Sequence, residues 1–107
     1  MKIFLDDTRE FPDKMHGFNC VRDYQTCIIL IDVFQNEIDF ISLDYDLSDE
    51  FTGLDVLKYM KANGIMPKSI NIHSTHSIGR GKMYKYAKEN FVDCEITHNW
   101  IVKLSLF

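Results

Sequence analysis

The chain has 107 residues, 46% of them hydrophobic and 26% charged, with a formal net charge of −4. That balance fits one folded domain over residues 1–107 and excludes disordered, collagen-like and fibrous classes, while no apolar run approaches the ~20 residues a membrane span needs. Net negative charge speaks against a dedicated binder of duplex DNA; an acidic turn straight after Ile3-Phe4-Leu5 is unlike a signal peptide, and the wide spacing of Cys20, Cys27 and Cys94 suits free thiols in a cytoplasmic protein better than a disulfide framework or a zinc knuckle.

Lys2-Ile3-Phe4-Leu5 reads as a short buried strand ended by Asp6-Asp7. Residues 8–17 contain Pro12 and Gly17 and read as a loop. Phe18 to Arg22 gives a second short strand. A helix follows from Asp23 or Tyr24 to about Asn36, with Asp23 placed to cap it and Ile28, Ile29, Ile31 and Phe34 forming a broad apolar face. Phe40-Ile41-Ser42-Leu43 is a third strand, ended by Asp44, and residues 45–52 form a polar loop. Leu54, Val56, Leu57 and Met60 stripe a helix from Gly53 to about Asn63, with Asn63-Gly64 as its stop. A fourth strand, Ser69 to Ile72, follows Pro67. His73 to Ile78 reads as a polar loop, and a helix runs from Gly79 or Arg80 to about Asn90. A fifth strand falls either at Glu95 to Thr97 or at Trp100 to Leu104, and the pattern does not choose between them.

Strands alternating with helices predict an α/β fold with a mostly parallel sheet and right-handed crossovers. In such sheets the ligand lies beyond the carboxyl ends of the strands. Asp6, Asp7, Asp44, His73 and Ser74 each follow a predicted strand, so they should gather on one edge. Charge is also divided along the chain. Residues 1–55 hold 13 acidic and 4 basic residues, and residues 56–107 hold 3 acidic and 8 basic. A carboxylate cluster beside a basic wall would give that division, and so would two solvated faces of opposite sign.

Asp6, Asp7, Asp44 and the neighbouring Asp46 offer the oxygen ligands that Mg²⁺ takes, and a divalent cation would relieve their repulsion. Asp also suits helix caps and turns, which is the reading for Asp23, Asp49 and Asp55. The stretch from His73 to Lys82 runs from a strand end into a helix start. Its hydroxyls, glycines and open backbone N–H groups make an anion site, to which Arg80 and Lys82 add positive charge. His73 or His76 could transfer protons near neutral pH. Arg9 could hold a phosphate through two hydrogen bonds or simply neutralise Asp7.

Strand plus Asp6-Asp7, strand plus Asp44, and strand plus Ser74 resemble the receiver domain of two-component signalling. A narrower resemblance covers Leu5-Asp6-Asp7-Thr8-Arg9, Ile41 to Leu47, Gly53-Leu54-Asp55-Val56, and His73-Ser74 with Gly79 and Met83. These motifs resemble the receiver-like family named for cyclic-phosphate processing. The resemblance implies a small receiver-like (flavodoxin-like) three-layer sandwich; the chain departs from it in its first helix, expected to be reduced or absent because Pro12 and Gly17 break residues 8–17. It implies Mg²⁺ or Mn²⁺ on Asp6, Asp7 and Asp44. Asp44, His73 and Ser74 would be the catalytic set, with His73 as general acid or base. Arg9, Ser74, Gly79 and Arg80 would hold phosphate, and Asp46 and His76 are further candidates. The ligand would be a small phosphorylated nucleotide or an RNA-derived molecule, and the activity a metal-dependent phosphoesterase opening a cyclic phosphate. The alternative is a pseudo-receiver, a binding or signalling module phosphorylated at Asp44 or not at all. The chain departs from signalling receivers in lacking a Lys-Pro pair after its last strand, where only Lys103 stands in an apolar run. It departs from the narrower family at position 76, where Asn is expected and His76 is found.

Overall fold

The computed structural model describes residues 1–7 and 17–98. Five strands, β1 (Lys2–Leu5), β2 (Asn19–Val21), β3 (Phe40–Leu43), β4 (Ser69–Ile72) and β5 (Glu95–His98), form one sheet in the order β2-β1-β3-β4-β5. Every neighbouring pair is parallel. Helix α1 (Tyr24–Phe34) joins β2 to β3, α2 (Gly53–Ala62) joins β3 to β4, and α3 (Ser77–Asn90) joins β4 to β5. These crossovers all step the same way along the sheet. Right-handed connection then puts the three helices on one face.

The burial pattern agrees. Ile3, Leu5, Ile41, Leu43, Ile70 and Ile72 share one buried cluster with Cys27 and Ile31 of α1, Val56, Leu57 and Met60 of α2, and Met83 and Ala87 of α3. Burying each large aliphatic side chain contributes about 1.5–3 kcal/mol. Strand alternation sends the intervening residues Phe4, Ser42 and Asn71 to the opposite face, and they too are fully buried. The result is a receiver-like α/β fold consistent with a flavodoxin-like sandwich. The third layer, the reduced first helix and the alternative strand at Trp100 to Leu104 fall outside the described residues, so the fifth strand seen is the one beginning at Glu95.

Local chemistry explains the helix starts. Asp23 caps α1, its Oδ1 accepting from the Thr26 amide at 2.8 Å. Thr52 and Asp55 form a reciprocal capping box on α2, with the Thr52 amide donating to Asp55 Oδ2 at 2.7 Å. Helix α3 begins at Ser77, ahead of the expected Gly79 or Arg80. The cause is His76, whose ring Nδ1 accepts from the Gly79 amide at 2.9 Å and so caps the first turn. Histidine is not among the residues that usually signal a helix start.

Candidate functional site

The sheet register brings the strand ends together. Leu5 pairs with Leu43 and Leu43 with Ile72, so the residues that follow them are neighbours. The backbone ladder continues one step past the strands. The Asp44 amide donates to the Leu5 carbonyl at 3.1 Å and the His73 amide to the Leu43 carbonyl at 3.0 Å. Asp6, Asp44 and His73 thereby present side-chain atoms that all lie within 4.8 Å of one another. Asp7 and Asp46 stand outside that group. Asp7 is half-buried and accepts a hydrogen bond from the Ser48 hydroxyl, and Ser48 adopts a left-handed backbone at φ 56°. Asp46 is exposed, and its backbone pairs with Thr52. Arg9 lies outside the described residues.

His73 is held on three sides. It is fully buried and stacks on the Phe4 ring at 4.4 Å between centroids. Its Nε2 lies 3.1 Å from Asp6 Oδ2 and its Nδ1 lies 2.6 Å from the Ser42 hydroxyl. Both ring nitrogens are therefore engaged by protein groups, although the sequence suggested proton transfer to a ligand.

Asp44 carries the conflict between charge and burial. Its pKa is pushed up to about 6, first by burial and next by the Asp6 carboxylate, with a smaller push from Asp7. The Tyr45 amide, 2.7 Å from Asp44 Oδ1, and the Ser74 side chain pull the other way by hydrogen-bonding the ionised form.

The loop after β4 packs over this group. Ser74 is buried, its Oγ accepts from the His76 amide at 3.1 Å, and its carbonyl accepts from Arg80 Nη1 at 2.8 Å. His76 stacks on Tyr45 at 5.0 Å. Gly79 sits against the same tyrosine, and any Cβ there would collide with the Tyr45 ring. The Gly79 amide is spent on His76, which removes it from the expected phosphate contacts. The Ser77 and Ile78 amides, the two just before it in the same turn, have no backbone partner among the described residues and are the open donors of this helix end. Arg80 also borders a cavity of about 220 Å³ lined with Ser77, Gly81, Tyr84 and His98.

Ser42, Asn71, Thr97 and Tyr45 touch this arrangement and were not singled out from the sequence. A signal was available for two of them, because Ser42 and Asn71 are lone polar residues at inner positions of apolar strands.

A parallel sheet with carboxylates at its carboxyl edge and a hydroxyl following β4 defines the receiver-like class of α/β domains. The family model of the cyclic-phosphate processing receiver domain matches residues 1–89, and the chain belongs to that family. Searches of curated proteins and of solved structures found no match. The family's expected Asn at position 76 now has a physical reading. Asn is among the best helix caps, and His76 performs the same task with a ring nitrogen.

Proposed function

We propose that the protein is a metal-dependent phosphoesterase that opens a cyclic phosphate of a nucleotide, an RNA end or a ribose derivative. One observation carries this reading. Asp44 is kept beside the buried Asp6 with its pKa raised to about 6, first by burial and next by the Asp6 carboxylate, so ionising both carboxyls is costly without a cation. A divalent cation is the simplest partner for such a pair. Because both nitrogens of His73 are engaged, the donors offered are oxygens, which suits Mg²⁺ or Mn²⁺ better than zinc. Asp6 and Asp44 would hold the ion, with Asp7 at the rim. Such an ion supplies Lewis-acid polarisation of phosphoryl oxygens.

The chain's own groups do the rest. The Ser77 and Ile78 amides at the start of α3 and the Arg80 guanidinium hold the non-bridging oxygens, while the Ser74 hydroxyl, whose one proton goes to Asp44, orients that carboxylate. The cavity beside Arg80 gives room for the organic part of the ligand. Water attack forms one P–O bond and breaks one ester bond. The proton released by the water ends on the leaving oxygen, and the product is a monoester.

Phosphorus NMR of the protein with a panel of ribose and nucleotide cyclic phosphates tests the reading. The expected result is conversion of a cyclic resonance to a monoester with Mg²⁺ present, lost in chelator and in Asp44→Asn. No conversion together with no cation binding overturns it. A single phosphoryl adduct on Asp44 after treatment with a phosphoramidate would instead mark a signalling module.

A further inference from the structure

Ser42, Asn71 and Thr97 occupy matched positions on β3, β4 and β5, on the sheet face turned away from the helices. The Thr97 hydroxyl donates to Asn71 Oδ1 at 2.8 Å, and Asn71 Nδ2 donates to Ser42 Oγ at 2.8 Å. Ser42 Oγ is 2.6 Å from His73 Nδ1, and His73 Nε2 is 3.1 Å from Asp6 Oδ2. The row therefore runs from the edge strand to the acidic group, through side chains that are fully buried at Asn71, Ser42 and His73.

Counting protons sets the direction of this row. A serine hydroxyl has one proton to give. Ser42 already accepts from the Asn71 amide nitrogen, which can only donate. Among the described residues the remaining partner of the Ser42 hydroxyl is His73 Nδ1, so its proton goes there. A proton on Nδ1 would leave the Ser42 hydroxyl proton buried without an acceptor, a costly arrangement. Nδ1 is therefore the acceptor, and Nε2 carries the ring proton and donates it to Asp6.

We infer that Thr97, Asn71 and Ser42 form a positioning row that locks His73 in its Nε2–H tautomer and, through that N–H, orients the Asp6 carboxylate. His73 then acts as a positioning residue, not as the general acid or base. Residues behind a ligand commonly tune metal affinity in this way. The tautomer stands on hydrogen-bond geometry alone, whereas any effect on cation affinity rests on the metal-site reading above.

Long-range proton–nitrogen correlation NMR on the full chain labelled at histidine tests the inference, with signals assigned by single replacement of His16, His76 and His98. The expected wild-type spectrum shows His73 protonated at Nε2 and bare at Nδ1. Asn71→Asp replaces the amide donor with an acceptor. The Ser42 proton then turns toward it, and Nδ1 becomes protonated. Asn71→Leu removes the donor without adding an acceptor, and Nδ1 stays bare. A packing role alone predicts the same His73 signal in both variants, and that result would overturn the inference. So would a wild-type Nδ1–H signal, which needs no variant to fold. Mn²⁺ titration of wild type and Asn71→Asp gives the second readout, with an expected loss of affinity of about tenfold or more. A wild-type protein with the Nε2–H tautomer that binds no Mn²⁺ supports the positioning row and overturns the metal reading instead.

Discussion

At Asp44 the cost of crowding carboxylates can be read as a pH dependence. Its folded pKa of about 6 lies above the ordinary 3.8, with burial as the largest cause and the Asp6 carboxylate the next. The folded state therefore binds this proton more tightly than the unfolded chain does. The resulting stabilisation is complete below about pH 4 and is lost as pH rises through about 6. After discounting for partial exposure, metal-free protein should lose about 1 kcal/mol between roughly pH 4 and 6. Asp44→Asn should remove that slope and raise the melting temperature near pH 7 by about 5 °C. Thermal melts in chelator check this, and parallel slopes in the two proteins would contradict it. The cysteines make a second case. Cys27 is fully buried and its thiol is pushed up to about 12, mainly by burial. Cys20 and Cys94 are only partly buried, and Cys94 Sγ donates to the Pro67 carbonyl at 2.8 Å. Iodoacetamide should modify those two thiols in the folded protein before Cys27, as intact mass would report.

At the level of the element, α2 and α3 are anchored by their first turns. Replacing His76 by Ala should cost about 1 kcal/mol through the lost cap, whereas His76→Asn should keep most of it. Denaturant unfolding of the two variants separates capping from any other role of the ring. Gly53 opens α2 where a Cβ would collide with the Asp44 carbonyl oxygen and with Met83 Cε. The oxygen belongs to the backbone and cannot swing aside, so Gly53→Ala should destabilise by about 1–3 kcal/mol and weaken any cation binding at Asp44 together with it. Calorimetry with and without Mn²⁺ checks both halves. Most element boundaries were legible because their signals are local. Asp23 announces α1, and the apolar stripe of Leu54, Leu57 and Met60 announces α2. The start of α3 was misplaced because its cap is a ring nitrogen, and because Gly79 looks like punctuation when it is a seat for Tyr45.

For the whole molecule, the gathering of Asp6, Asp44, His73 and Ser74 at one edge followed from a parallel sheet before any register was known. The row behind them did not. Ser42, Asn71 and Thr97 are far apart in the chain, and only the pairing of β3, β4 and β5 makes them neighbours. The state of His73 was hidden for the same reason, since the groups that occupy its nitrogens come from β3 and from the end of β1. Pairing over such distances has no short-range signature. The alternation of the strands also divides the sheet into two regimes of mutational tolerance. Ile3, Leu5, Ile41, Leu43, Ile70 and Ile72 face the helices, and any aliphatic side chain of similar volume should serve there, because packing responds to shape and volume alone. One residue along the same strands, Ser42 should reject the near-isosteric Ala and Asn71 the near-isosteric Asp, because what they contribute is the direction of a proton. A saturation scan scored separately for abundance and for cation binding should show this as a period of two, with abundance tracking one face and binding tracking the other.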